Sequence, residues 1–369
     1  MLETLSTPHG SLSLPAFLPD ATRGVIRALD AADLEACGVQ SVMVNVFHLL
    51  VRPGVRTIAE HGGIHRFMNW RGPVAADSGG FQVYSLLTGS PKLGSVTNRG
   101  FTYRLEPGGK KIVLTPEKCI QTQFRIHADL LFCLDHCTSL DAPPDEQRRS
   151  VEQTVTWARK CRGTYDRWVE QNELERQRRP LLLAIVQGGQ DPGLRRECAE
   201  RLSEIGFDGY GYGGWPVTDD GQLAESVAQV AELTPDDRPR FALGIGKPEN
   251  LAAAYRLGYH LFDCVIPTRD ARHKRLYVFN QPPDRSSLAG ADFYHCLYMQ
   301  DGKHARDPQP LEDGCDCLCC RGYSRAYLHH LFKIRDGLAD RLATLHNLRF
   351  YNRLIAALAS DRGRERATS

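Results

Sequence analysis

Short apolar runs recur along the chain, each ending at a small or polar residue. They are PAFLP at 15–19, SVMVNV at 41–46, PVAADS at 73–78, LLFCLD at 130–135, LLLAIVQ at 181–187, DGYGYGG at 208–214, RFALG at 240–244 and LFDCVIP at 261–267. Continuous apolar runs of this length read as strands buried on both faces, the habit of parallel sheets. Amphipathic helical patterns lie between them, over 150–169 and 222–233 for example. About eight strands alternating with helices over ~250 residues predict a (β/α)8 TIM barrel, an α/β fold; a doubly wound open sheet is the competing arrangement. The stretch 88–111, rich in Gly, Lys and Ser, reads as an inserted flexible loop. Residues 281–313, with four prolines and many aspartates, read as a connector, followed by a cysteine cluster and a long helical pattern over 324–359. The expected organisation is a catalytic barrel over 1–280, a zinc-binding subdomain with a long helix over 281–350, and a helix end with a frayed tail over 351–369.

Composition narrows the function. The chain has 369 residues, 42% of them apolar, enough to bury a full core, which excludes disorder as the main state. No run of ~18 apolar residues exists to form a membrane span. The first residues lack the basic and then apolar pattern of a secretory signal, so a cytoplasmic location is expected. Twelve cysteines in such a setting are reduced thiols or metal ligands. The net charge of +2 argues at first against a nucleic-acid partner. That total is an average, however: over 321–369, Lys and Arg outnumber Asp and Glu by 10 to 4.

In a parallel barrel the reacting groups stand at the carboxyl ends of the strands. Here those ends carry Asp77, Asp135, Gln187, Gly213, Gly214, Gly244 and Asp263. Three carboxylates at one mouth suit glycosyl transfer. One attacks the anomeric carbon and holds the sugar covalently, and another moves the proton of the leaving and entering group. The third, with a Gln side chain and a backbone N–H at Gly214, suits the edge of a purine. Phe81, four residues after Asp77, offers a ring for stacking.

The ordered set NVFHLLVRPG (45–54), DSGGFQ (77–82), LDHC (134–137), VQGG (186–189), GIGKPEN (244–250) and FDCVIPTRDAR (262–272) resembles the signatures of the tRNA-guanine transglycosylase family, also called queuine tRNA-ribosyltransferases, of bacterial type. The resemblance runs over nearly the whole chain, from TPHG at 7–10 to the HN at 346–347. It implies a (β/α)8 barrel with a zinc subdomain, and a pentosyltransferase that exchanges guanine at the anticodon wobble position of tRNA for a 7-deazaguanine. By position, Asp263 matches the nucleophile and Asp77 the general acid/base. Ser78, Gly79, Gly80, Phe81, Asp135, Gln187, Gly214 and Leu243 match the base-binding set, with Phe81 and Leu243 as apolar walls. Gly244, Ile245, Gly246, Lys247, Pro248, Glu249 and Asn250, with Thr268, Arg269, Asp270, Ala271 and Arg272, match segments that hold RNA. Lys247, Arg269 and Arg272 are the candidate phosphate contacts.

Four cysteines fall within six residues, at 315, 317, 319 and 320. With a histidine they suit a Cys3His zinc site. Spacing leaves Cys319 as a rival to Cys320, and His329 or His330 as rivals to His346. The resemblance selects Cys315, Cys317, Cys320 and His346, a closed structural site for one Zn2+. Where many bacterial members have Leu-Ala-Val-Gly-Glu after the paired glycines, this chain has Trp215-Pro216-Val217-Thr218-Asp219. Val217 favours the small base preQ1 over queuine, and Asp219 is a candidate partner for its ammonium; Trp215 finds no counterpart. Tyr323, Tyr327 and His330 share a helical face, which the resemblance assigns to a homodimer. The expected partners are tRNAs with GUN anticodons, those for Asp, Asn, His and Tyr. The rival functions are exchange with queuine by salvage, insertion of a deazapurine into DNA, and a non-catalytic RNA-binding subunit.

Overall fold

The computed structural model describes residues 2–139, 141–284 and 286–360. Every apolar run becomes a strand: β1 (Ala16–Pro19), β2 (Val42–Asn45), β3 (Val74–Asp77), β4 (Leu130–Phe132), β5 (Leu181–Val186), β6 (Gly209–Tyr212), β7 (Arg240–Ala242) and β8 (Leu261–Cys264). They pair in parallel in the order β1-β8-β7-β6-β5-β4-β3-β2. A parallel bridge from Asp20 to Met43 brings β1 against β2, and the Ala21 N–H donates to the Met43 carbonyl at 2.7 Å, so the ring closes. This is the expected (β/α)8 barrel, and the runs at 15–19 and 208–214 both form strands of it.

The strands are buried on both faces, as their unbroken apolar runs require, yet they keep a period of two. Ala16, Leu18, Met43, Ala75, Leu130, Phe132, Leu183, Ile185, Phe241 and Leu261 pack together inside the ring. Their neighbours, such as Phe17, Val44, Ala76, Leu182 and Phe262, face the outer helices. An antiparallel hairpin, Thr4–Thr7 with Gly10–Ser13, stops the amino-terminal end, where Leu12 and Leu14 join the inner cluster. Buried Asp129 fastens that end: its carboxylate accepts from the His9 N–H at 3.0 Å, the Val74 N–H at 2.8 Å, and the rings of His9 and His65 at 2.9 and 3.0 Å.

Two expectations are corrected. The segment 88–111, read as a flexible loop, enters a three-stranded antiparallel sheet, Gly94–Thr97, Gly100–Tyr103 and Ile112–Leu114. Its Gly and Lys content masked the alternation of Phe101 and Tyr103, both fully buried. Gly100 also turns the chain at a φ of +128°, where a side chain would meet the Leu114 carbonyl at 2.3 Å. The stretch 281–313, read as a connector, holds the strand Tyr294–Tyr298, which pairs antiparallel with Arg275–Phe279, and a 3-10 turn over Gly302–Arg306. There the proline and aspartate content outweighed one five-residue run in the reading.

The helical pattern over 324–359 is two helices, α1 (Arg325–Ile334) and α2 (Gly337–Ala359). Arg335 breaks it in the left-handed region at φ 58°, and Asp336 caps α2 through the Leu338 N–H at 2.8 Å. One end of α2 packs Ala339, Leu342 and Ala343 into a small core with the cysteines. The remainder packs Leu348, Phe350, Tyr351, Leu354 and Leu358 into the large core around the barrel. The tail 361–369 lies outside the described residues. Among the described residues, no helix is long and apolar enough to cross a membrane.

Candidate active site and metal centre

The inward parity of the strands decides what reaches the mouth. Continuing the inner positions by one more alternation gives Asp20 after Leu18, Asn45 after Met43, Asp77 after Ala75, Gln187 after Ile185, Leu243 after Phe241 and Asp263 after Leu261. The inner core thus ends in a polar layer. Asp135 joins it by a different route: strand pairing stops at Phe132, Cys133 and Leu134 turn outward, and the next residue enters. A cavity of about 320 Å³ opens on this layer, lined by Asp20, Asp77, Asp135, Asp263, Phe81, Leu243 and the wall from Gly213 to Pro216. That size suits a small organic ligand.

Each carboxylate has its own surroundings. The Asn45 side-chain N–H donates to Asp77. Burial and repulsion from Asp135 nevertheless push the Asp77 carboxyl up to about 7, against donors from the Gly79 N–H and Gln82. Burial also raises Asp135 to about 6, opposed by Gln187, whose Nε2 donates to it at 2.7 Å, and by Ser78 Oγ at 3.4 Å. Asp263 is held well above the usual carboxylate range by burial and by the charge of Asp20. The Gly244 N–H, 3.1 Å from its Oδ1, pulls the other way and favours the anion. Burial raises Asp20 to about 6.

Around this layer the expected base-binding residues converge. Ser78 Oγ also accepts from the Gly80 N–H at 3.2 Å, at the start of the helix that carries Phe81. Phe81 is exposed at the rim, and Trp215 meets it edge to face at 5.4 Å between ring centroids. Trp215, without a counterpart in the sequence pattern, therefore extends the aromatic wall. Gly213 is forced by crowding, because a Cβ there would lie 2.6 Å from both Gln187 and Ile185. Behind the wall, fully buried Arg195 donates to the Val186 and Gly189 carbonyls at 2.6 and 2.9 Å and lies 4.4 Å over the Tyr212 ring. Val217 and Asp219 are not among the cavity-lining residues; Asp219 is exposed on a turn, and Val217 bridges to Leu223.

The two segments matched to RNA contacts divide by exposure. Gly244, Lys247 and Arg269 are exposed and Arg272 is half-buried, donating to the Thr268 carbonyl at 2.7 Å. Ile245, Gly246, Pro248, Asn250, Thr268, Asp270 and Ala271 are buried. Asn250 donates to the Gly221 carbonyl at 3.0 Å, Glu249 accepts from Tyr294 at 2.7 Å, and Asp270 accepts from Tyr277 at 2.6 Å. These side chains hold the loops, while the exposed cations face outward. Sequence reasoning missed Asp20, Asn45 and Gln82. The parity rule reaches the first two, since each lies two residues past an inward apolar position; nothing marks Arg195 within its helix.

Cys315, Cys317, Cys320 and His346 bring their donor atoms within 4.8 Å of one another. His346 Nδ1 faces the three sulfurs at 3.9, 3.6 and 3.3 Å. Its Nε2–H donates to the Tyr277 carbonyl at 2.7 Å, which leaves Nδ1 as the free lone pair and orients the ring. The rivals are placed elsewhere: Cys319 is fully buried outside the four, and His329 bonds the Met299 carbonyl at 2.7 Å. Three thiolates and an imidazole fill the tetrahedral shell of Zn2+, so this is a closed structural zinc site. Bound there, the metal would cross-link the cysteine loop to α2.

The family model for queuine tRNA-ribosyltransferases matches residues 2–360. The chain belongs to that family. It is a pentosyltransferase of the bacterial type, as the motifs implied. A queuine tRNA-ribosyltransferase of Psychrobacter sp. (strain PRwf-1) is 37% identical over 356 residues, covering 96% of this chain and 88% of the relative. One from Aliivibrio fischeri (strain MJ11) is 38% identical over 358 residues, with 96% and 88% covered. One from Symbiobacterium thermophilum is 38% identical over 364 residues, with 97% and 84% covered.

Protein purified without chelator should carry about one zinc per chain by elemental analysis, and Cys320→Ser should lose it. Because the metal's binding free energy is also folding free energy, that variant should be destabilised by roughly 3 kcal/mol or more in thermal or denaturant unfolding. A metal-free native protein of unchanged stability would contradict the assignment.

Proposed function

We propose that this tRNA-modifying transglycosylase exchanges guanine at the wobble position of GUN-anticodon tRNAs for preQ1, on the way to queuosine. The observation that carries the proposal is a cavity holding two carboxylates, Asp77 and Asp263, three strands apart round the ring and differently solvated, beside a hydrogen-bonded Asp135–Gln187 pair.

In this reading an Asp263 oxygen attacks C1′ of the target ribose. The C1′–N9 bond breaks, its electron pair passes to guanine, and Asp77 delivers the proton that the leaving base takes up. The incoming deazapurine then returns a proton to Asp77 from N9–H, attacks C1′, and releases Asp263 as carboxylate. A nucleophile needs its anion and a general acid needs its proton. The Gly244 N–H serves the first need at Asp263. The rise of the Asp77 carboxyl to about 7 serves the second, and corresponds to roughly 4 kcal/mol of preference for the neutral acid. Asp135 accepts from purine N–H groups, Gln187 and the Gly214 N–H face the base carbonyl, and Phe81 and Leu243 enclose the ring plane. Lys247, Arg269 and Arg272 meet flanking phosphates.

PreQ1 is favoured over queuine because Trp215 and Pro216 line the cavity, and bulky side chains there suit a small aminomethyl substituent better than a cyclopentene-diol. Retention of both Asp77 and Asp263 speaks against a non-catalytic subunit. A homodimer is part of the same reading: Tyr327 and His330 lie along α1, where Tyr327 is exposed, and Tyr323, which lies in extended backbone ahead of the helix and not on its face as expected, stacks on Tyr327 at 5.4 Å. The cytoplasm, where tRNA and reduced thiols occur, is the proposed location; none of the twelve cysteines is in a disulfide.

Labelled guanine should exchange out of a GUN-anticodon tRNA, and preQ1 should displace it more efficiently than queuine. Absence of exchange overturns the function, whereas preference for queuine overturns the choice of base. Asp263→Ala should abolish the denaturation-resistant RNA adduct. Formation of that adduct needs protonated Asp77, so its rate should fall as pH rises through about 7; a flat profile there would remove Asp77 from the acid role. Tyr327→Ala should shift a sedimentation profile from dimer towards monomer, and a profile unchanged at low concentration would exclude this face as the interface.

A further inference from the structure

Asp20 is a fourth carboxylate in the cavity and takes no part in the exchange as described above. It follows the last residue of β1, which pairs with β8 so that Leu18 stands opposite Asp263 and Pro19 opposite Cys264. One rung further along the register Asp20 falls opposite Val265, diagonal to the nucleophile in the same cavity lining, and its charge is the main electrostatic influence on Asp263 after burial. Among the described residues, none donates a hydrogen bond to the Asp20 carboxylate, whereas Asp77, Asp135 and Asp263 all have donors. An acceptor without a donor in a half-buried pocket costs free energy unless a ligand supplies the donor.

Stereochemistry says which donor would arrive. A nucleoside carries its base on the β face of the ribose. A carboxylate that displaces the base must approach C1′ from the α face. The 2′-hydroxyl stands on that same α face, on the adjacent carbon. A group next to Asp263 is therefore next to O2′. A phosphate in this position would be repelled by four carboxylates, while a hydroxyl proton would be attracted.

Resting on the proposed role of Asp263 as nucleophile, we propose that Asp20 accepts a hydrogen bond from the 2′-hydroxyl of the target nucleotide and is the residue by which this enzyme prefers ribose to deoxyribose. Asp20 meets the ribose and not the base, and because its charge also bears on Asp263, its part in substrate choice shows in the ratio of the two substrates.

The test compares guanine exchange on a tRNA anticodon stem-loop with the same RNA carrying a single 2′-deoxyguanosine at the target position. Wild-type protein should favour the ribonucleotide by about 10-fold or more in kcat/KM, the scale of one hydrogen bond to a charged group. Asp20→Ala should lose most of that preference, read as the ratio of kcat/KM on the two substrates, because removing its charge also alters Asp263 whichever substrate is bound. Asp20→Asn, which keeps the shape and an acceptor oxygen, should retain an intermediate preference and guards against a folding defect in the alanine variant. Zinc content and melting temperature report that defect directly. An undiminished ribose preference in either folded variant, or an equal loss on both substrates, overturns the proposal. Persistence of the covalent adduct in Asp263→Ala would overturn instead the nucleophile reading on which it rests.

Discussion

Like-charge repulsion at the barrel mouth is the constraint on which the site depends. Closing the ring brings Asp20, Asp77, Asp135 and Asp263 to one small cavity, where water cannot screen them well. Four buried anions would cost far more than the fold could sustain, so protons or donors must settle on some of them. The donors are unevenly spread. Asp263 has a backbone N–H, Asp135 has Gln187 and Ser78, and Asp77 has Asn45 yet is pushed up to about 7 by burial and by the charge of Asp135. Unequal solvation thus gives carboxyls of identical chemistry unequal surroundings, and so unequal hold on a proton. These groups share protons, so a change at any of them is felt by the others.

That distribution requires the loops above the strands to stay where they are, and the zinc region contributes to this. α2 carries His346 to the metal and Asn347 and Tyr351 to the barrel. Asn347 donates to the Pro267 and Arg275 carbonyls at 2.9 and 3.0 Å and accepts from the Tyr277 N–H at 3.1 Å. Tyr351 donates to the Gly246 carbonyl at 2.5 Å. Pro267 lies just past β8 with Asp263, and Gly246 lies in the loop whose Gly244 N–H holds Asp263. A metal held at His346 would therefore tie down the same helix whose Asn347 and Tyr351 brace both loops. The zinc is remote from the chemistry in function but mechanically continuous with it through one helix.

Much of this was legible in the sequence, for a definite reason. Strands buried on both faces produce unbroken apolar runs, and the polar residue that ends each run is the one that meets solvent at the mouth. Asp77, Gln187 and Asp263 follow from that pattern, and Cys315, Cys317, Cys320 and His346 from the donor set together with the family pattern. Asp20 and Asn45 were hidden because an unbroken run conceals its own alternation; the inward parity becomes visible once the inner cluster is known. The sheet over 94–114 was hidden by composition, since its glycines relieve backbone crowding and were read as flexibility. Asp135 was found in spite of its strand, which ends three residues earlier. No sequence rule would place Arg195 beneath Tyr212, because its partners are carbonyls exposed only by the path of the loop after β5.

Charge is segregated in a way that reconciles an acidic pocket with a polyanionic substrate. A phosphate would be expelled from the cavity, so the backbone of a bound nucleic acid must run outside it while a neutral base and sugar enter. Exposed Lys247 and Arg269 stand on the loops that frame the mouth, and the excess of cations lies in the chain beyond 321. Long-range attraction therefore acts on the strand as a whole, and short-range repulsion at the carboxylates selects what part of it goes in. The net charge of +2 measures neither effect, because the two regions cancel in the sum. A base turned out of the stack is uncharged, flat and rich in N–H groups, and it is the portion of a nucleic acid that a ring of carboxylates walled by Phe81 and Trp215 would admit.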